Sequence, residues 1–75
     1  MNPYSEMLDR LERRILIQGI GNDDPAFPAI GELLVRTGAL PAIAGILADP
    51  GQPEPVRMRA LARAMQALRS FRVAA

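Results

Sequence analysis

One block constrains this chain more than any other: Gly38-Ala39-Leu40-Pro41-Ala42-Ile43-Ala44-Gly45-Ile46-Leu47-Ala48-Asp49-Pro50. It carries no charged side chain before Asp49 and is fenced by Gly38 on one side and Pro50-Gly51 on the other. With helical periodicity it is apolar nearly all round, which predicts a short helix over 41–48 lying inside the fold. The uncharged run from Thr37 to Ala48 is well short of the ~20 apolar residues needed to span a bilayer, so no membrane role is expected. Gly45 in that helix costs about 1 kcal/mol relative to Ala, and would be tolerated if another backbone packs closely there.

The flanking sequence supplies helices to surround this block. Asn2-Pro3 offers a cap and a first-turn proline, with Ser5 as the rival cap. Tyr4, Leu8, Leu11 and Ile15 then recur at i, i+4, i+7 and i+11, the apolar face of a helix over 3–18. Glu6–Arg10 and Asp9–Arg13 are acid-first i,i+4 pairs worth roughly 0.2–0.5 kcal/mol each. Gly19-Ile20 fits a left-handed cap, and Gly21 to Pro25 reads as a turn. Asp24 is expected to cap the next helix. Asp23 and Asp24 alone make no metal site, because divalent cations want several oxygens at alternating loop positions. After a turn or a first 3₁₀ turn over Pro25 to Pro28, a helix over 29–37 presents Ile30 and Leu34 with Phe27 and ends at Gly38. The proline-rich loop Asp49 to Pro55 precedes a last helix over 55–71.

These elements predict an all-α fold: one domain over 1–75, a compact bundle of about four helices with two short helices packed between two longer ones. The expected core is Leu8, Leu11, Ile15, Phe27, Ile30, Leu34, Leu40, Ile43, Ile46, Leu47, Leu61, Met65 and Leu68.

Composition narrows the function classes. Apolar residues make up 49% of the chain, but there are only two Phe, one Tyr and no Trp. Small side chains bury little area each at roughly 25 cal/mol per Å², so close helix packing, self-association or a partner must help. There is no Cys, His or Lys. The chain therefore lacks the thiolate nucleophile, the usual neutral-pH base, the Schiff-base amine and the commonest metal-ligand nitrogen. No enzyme activity, catalytic residue, metal or cofactor is expected. The N-terminal residues show no basic segment followed by an apolar run, and a cytoplasmic protein is expected.

All nine basic residues are Arg, through codon usage in a GC-rich genome or through selection for bidentate contacts. Residues 1–53 hold four Arg against seven acids, a net of −3, and residues 54–75 hold five Arg against Glu54, a net of +4. A basic tail of this kind can meet an acidic partner or the chain's own acidic half.

The last helix is the best lead. Met58, Leu61, Met65 and Leu68 follow a 3,4,3 spacing like a heptad seam, with Ala60, Ala64, Ala67 and Phe71 as a second stripe. Two stripes allow one face for the fold and one for another molecule. Met58, Leu61, Met65, Leu68 and Phe71 are thus candidates for self-association, and a homodimer is one expected form. Arg57, Arg59, Arg63, Gln66, Arg69 and Ser70 are candidates for partner binding. Arg57, Arg59, Arg63, Arg69 and Arg72 could also grip phosphates, but no aromatic residue is interleaved to stack bases. The helix–Gly–helix arrangement around Gly38 is a poor DNA reader, since its second helix offers no donors to base edges.

Gly38-Ala39-Leu40-Pro41-Ala42-Ile43, followed by Ile46-Leu47-Ala48-Asp49-Pro50, resembles the first-to-second-helix segment of an armadillo repeat. Ala64-Met65-Gln66-Ala67-Leu68-Arg69-Ser70 is similar to the Ala-Leu-Trp-Ala-Leu-Ser-Asn pattern that ends the family's third helix. The resemblance covers about residues 29–71, one repeat, and implies three helices packed as in an armadillo unit. Two departures limit it. The Pro50 to Ala64 spacing is several residues longer than the family's. Gln66 and Ser70 stand at the peptide-gripping Trp and Asn positions, so extended-peptide binding is not implied. A solenoid also needs several repeats to bury its faces, and one copy is present.

The expected function is a small protein-interaction module, a regulator, adaptor or inhibitor of a larger protein, of the kind a bacterium or phage uses to block host machinery. The alternatives are an Arg-rich nucleic-acid-binding accessory and a structural subunit of a larger assembly.

Overall fold

The computed structural model describes residues 2–71, which form four helices: α1 (Ser5–Gln18), α2 (Ala26–Thr37), α3 (Pro41–Ala48) and α4 (Glu54–Arg69). The all-α reading is thus met. Four boundaries move, the start of α4 by a single residue, to Glu54. α1 begins at Ser5 after a turn over Pro3-Tyr4, where Asn2 Oδ1 makes the expected cap bond to the Tyr4 N–H at 2.8 Å, while Nδ2 donates across the molecule to the Leu68 and Arg69 carbonyls. α2 begins at Ala26, so the segment expected as a turn up to Pro28 is its first turn. Asp24 Oδ1 receives the Ala26 N–H at 2.8 Å there, and Pro28 sits where no intrahelical donor is needed. α4 closes at Arg69, with Ser70 and Phe71 beyond it.

Gly38 ends α2 in the left-handed conformation (φ 75°, ψ 10°), and Ala39 N–H reaches back to the Leu34 carbonyl. This six-to-one closure turns the chain toward α3. Leu40 follows with φ 47°, the one non-glycine residue at positive φ among those described. Right-handed helical geometry is disfavoured directly before a proline, and Pro41 then opens α3.

α2, α3 and α4 pack on one another, and α1 docks antiparallel on α4. The fully buried large side chains are Leu8, Phe27, Ile30, Leu34, Leu47, Leu61 and Leu68. All seven belong to the expected core. Leu11, Ile15, Leu40, Ile43, Ile46 and Met65 pack against it half-buried, and Ala44, Ala60 and Ala64 complete it.

Two expectations about the central block fail. α3 is not enclosed: Ala44 and Leu47 are buried, but Pro41, Ala42, Gly45 and Ala48 are exposed. The molecule measures 39 × 28 × 15 Å, and a slab this thin, against a helix diameter of about 10–12 Å, leaves every helix a solvent face. The close backbone approach also lies elsewhere. A Cβ on Gly45 would meet nothing within 4 Å, whereas one on Gly31 would come 3.2 Å from both the Ala44 carbonyl oxygen and Leu47 Cβ. Gly31 is the residue that lets α2 and α3 touch.

Candidate functional site: a groove between the first and last helices

The side chains of α4 divide among three faces. Arg57, Ala60, Leu61, Ala64 and Leu68 point into the core, Met58, Met65 and Ala67 are half-buried, and Arg59, Ala62, Arg63 and Gln66 are exposed. The predicted seam is therefore split. Leu61 and Leu68, expected for self-association, are buried within the chain's own core and offer almost no surface to a second molecule, Leu61 only at the groove floor. Met58 and Met65 remain available. They look across to Ile15 of α1 over an apolar groove of about 360 Å³, lined also by Glu12, Leu61, Ala62, Gln66 and Arg69.

α1 is held to the rest of the fold by an apolar face centred on Leu8 and by polar ties at its leading end, at its middle and toward its close. At the α4 C-terminus, Asn2 satisfies the Leu68 and Arg69 carbonyls, two of the acceptors that a helix end leaves without partners. Tyr4 meets Phe71 there, ring centroids 5.4 Å apart and tilted by 55°, a favoured aromatic geometry. Phe71 is thus half-buried against α1's leading end, a role that competes with the expected self-association. Arg69 donates to Asp9 at 2.9 Å and Glu12 at 2.7 Å, closing one end of the groove. The Asp9 hydrogen bond, with Glu12 adding to it against partial desolvation, raises the Arg69 pKa further above its already high value. At the other end, Arg14 grips Asp24 with two hydrogen bonds of 2.7 and 2.9 Å. That bidentate contact is the main cause that lowers the Asp24 carboxyl to about 2. Burial opposes it, and the Ala26 N–H assists.

Arg57 requires the largest correction. Expected on a partner-facing strip, it is only 3% exposed. Its guanidinium lies 4.3 Å from the Phe27 ring centroid. Nη2 donates to the Leu47 carbonyl at 2.6 Å, and Nη1 donates to the carbonyl and side-chain oxygen of Asn22. Nε has no hydrogen-bond partner. A cation at the α3 C-terminus satisfies the end of that helix, so Arg57 ties α3 and the α1–α2 turn to α4. Its register gives it away: Arg57, Leu61, Ala64 and Leu68 recur with 4,3,4 spacing. That seam keeps Leu61 and Leu68 of the one the larger side chains suggested and replaces Met58 and Met65 with the residue before each.

The expected strip of five arginines is accordingly reduced. Arg57 is internal, Arg69 is engaged by two carboxylates, and Arg72 lies outside the described residues. Arg59 and Arg63 are exposed and make no ion pair among the described residues. Gln66 lines the groove, and Ser70 is exposed with its hydroxyl donating to the Gln66 carbonyl at 3.2 Å. Sequence reasoning missed Ile15, Glu12 and Ala62 as groove residues, having assigned Ile15 to the core alone. Leu16 and Ile17 beside them are 80% and 75% exposed.

Among the described residues no three carboxylates converge to hold a metal, and no helix is long and apolar enough to cross a membrane. Comparison with family models, with curated proteins and with solved structures finds no match for this chain.

Proposed function

We propose that this chain is a small non-catalytic protein-interaction module, a regulator, adaptor or inhibitor of a larger protein, and that it binds through the α1–α4 groove. One observation carries the reading. An apolar groove floored by Ile15, Met58, Leu61 and Met65 lies between two helices that are tied to each other by polar contacts at its end. Met side chains suit such a role, because they are flexible and polarisable and adapt to the shape of what they meet. Helix-in-groove recognition uses surfaces of this kind. On the armadillo-like reading, α2, α3 and α4 are the three helices of the unit, and their mutual packing supports it. The nucleic-acid alternative loses two of its five arginines, Arg57 and Arg69, to contacts within the fold.

Ala62→Trp tests the proposal. Ala62 is an exposed helical position on the groove wall, so an indole there fills the groove while leaving the core untouched. The wild type, used as bait in an extract of its source cell, is expected to retain a saturable partner that Ala62→Trp loses at unchanged circular dichroism. The same retained proteins with both baits would overturn the groove as the binding surface.

A further inference from the structure

Gln66 lines two hollows. One is the α1–α4 groove, and the other opens between the α2–α3 turn and the last turns of α4. This second hollow measures about 390 Å³ and is lined by Ala39, Leu40, Arg63, Gln66, Ala67 and Ser70. The four α4 residues follow i, i+3, i+4 and i+7, so the helix presents them as one row. The left-handed Gly38 turns the chain at the end of α2 and carries Ala39 and Leu40 to the opposite wall. Ala39, Leu40 and Ala67 are half-buried, while Arg63, Gln66 and Ser70 are exposed. The hollow thus pairs an apolar side with a guanidinium, an amide and a hydroxyl, all able to donate hydrogen bonds.

Its charge sets it apart. In the α1–α4 groove, Glu12 and Arg69 are paired with each other. A hollow between α1 and α2 carries Arg10 and Arg14, both paired, with Glu6 and Asp24. The hollow over α2 and α3 around Val35 and Gly45 has no charged lining residue. Beside Leu40, Arg63 is the one charged lining residue, and it makes no ion pair among the described residues. Arg59, the other exposed arginine of α4 without an ion pair, lines none of these hollows.

We infer that this hollow binds a small aliphatic carboxylate, its charge on Arg63 and its carbon skeleton against Leu40 and Ala67. A guanidinium has donors only, and its planar fork matches a carboxylate with two parallel hydrogen bonds. One unpaired cation balances one carboxylate. Gln66 and Ser70 supply further donors from the same row. The volume lies at the lower end of the roughly 300–1,000 Å³ of small-molecule sites, which suits a skeleton of a few carbons. A bare inorganic anion would leave the apolar side uncovered, and a nucleic acid would find one arginine and no ring for its bases. The same chemistry occurs in a free short-chain acid and in the C-terminal residue of a peptide. The site does not depend on the groove, with which it shares Gln66.

The test is an NMR titration of the ¹⁵N-labelled chain at low salt with four probes: isovalerate, acetyl-Ala-Leu with a free C-terminus, the same dipeptide amidated, and inorganic phosphate. At least one of the two carboxylates should give saturable shifts at the Leu40, Gln66 and Ser70 amides and at Arg63 Nε. Tighter binding of isovalerate assigns the site to free acids, and tighter binding of the free-ended dipeptide assigns it to chain termini. Arg63→Gln should weaken binding about tenfold, the scale of a hydrogen-bonded charge, at unchanged circular dichroism. Arg59→Gln and Ala62→Trp should leave it within about twofold, well under that loss. No saturable shift with either carboxylate overturns the inference. So does equal binding of the amidated dipeptide, which would leave the carboxylate without a role. Phosphate binding as tightly as the carboxylates, or an equal loss in Arg59→Gln, would reduce the site to surface charge and overturn it. A loss in Ala62→Trp as large as in Arg63→Gln would move the ligand to the groove and overturn it as well.

Discussion

α1 and the α2–α3–α4 unit are held in different ways. α1 contributes one fully buried side chain, Leu8, with Met7, Leu11 and Ile15 half-buried beside it, and adds Asn2, the Arg69 bridge to Asp9 and Glu12, and the Arg14–Asp24 grip. The other three helices share Phe27, Ile30, Leu34, Ala44, Leu47, Ala60, Leu61, Ala64 and Leu68, with Gly31 allowing close approach and Arg57 fastening the pieces from inside. Small residues on the inner face of α4 permit tight packing, whereas its α1-facing side carries Met58 and Met65 and leaves a groove. The groove is a consequence of the contrast. A helix fastened by one buried leucine, a half-buried apolar stripe and a few polar ties leaves part of the space beside it unfilled.

The contrast breaks most visibly at Arg57. Truncation in Arg57→Ala leaves the Leu47 and Asn22 carbonyls without their buried donor, at about 1–3 kcal/mol for each unsatisfied group. It also removes the contact with Phe27, worth about 0.5–2 kcal/mol. A total near 4 kcal/mol is comparable with the whole stability of so short a domain, of order 0.05–0.15 kcal/mol per residue. Urea titration followed by circular dichroism should show this variant largely unfolded at low denaturant. Arg57→Met, which keeps an apolar stem over Phe27, should fall between the two. A loss near 1 kcal/mol for Arg57→Ala would mean that the three-helix unit does not depend on its internal cation.

The tight interface between α2 and α3 gives the next effect. Gly31→Val places a Cβ and two methyls against the Ala44 carbonyl and Leu47, already 3.2 Å from where the first carbon would sit. Overpacking of this kind costs about 1–3 kcal/mol, and the upper part of that range is expected because one neighbour is backbone. Gly45→Ala, with open space around it, should instead gain up to about 1 kcal/mol from helix propensity. Opposite signs in the urea midpoints would locate the close approach at Gly31; equal signs would dissolve the distinction between the two glycines.

Both positions were legible in the sequence, by a rule that large side chains obscure. Phe27, Ile30, Gly31 and Leu34 follow i, i+3, i+4 and i+7, so Gly31 belongs to the buried face, and Leu40, Ile43, Ala44 and Leu47 form the matching face of α3 without Gly45. Arg57 likewise shares a stripe with Leu61, Ala64 and Leu68. In each case register placed the residue correctly while residue type argued against it. The seven largest buried side chains were legible because type and register agree there. The groove was not legible, because it depends on the angle and spacing at which α1 meets α4. Those are set by Asn2 reaching Leu68 and by Arg69 reaching Asp9 and Glu12, contacts between residues about sixty positions apart that no local pattern encodes.

The smallest expected effect examines α1's own attachment. Asp24 serves two masters, capping α2 through Ala26 and holding α1 through Arg14. Its folded pKa, about 2, lies below the ~3.9 of an unfolded chain, so folding favours the ionised form. The stabilisation is complete above the unfolded value and is lost as pH falls through about 2. Stability of the wild type should therefore decline as pH is lowered from 5 to 2. Asp24→Ala, less stable at pH 7 by about 1 kcal/mol for the missing cap alone, should decline less, and the gap should narrow toward pH 2. Hydrogen exchange locates the change. If α1 is held by polar ties and the rest by packing, its amides should lose protection in Asp24→Ala while those of α3 and α4 keep theirs. Uniform loss across all four helices would show instead that α1 is as much a part of the cooperative core as the helix it leans on.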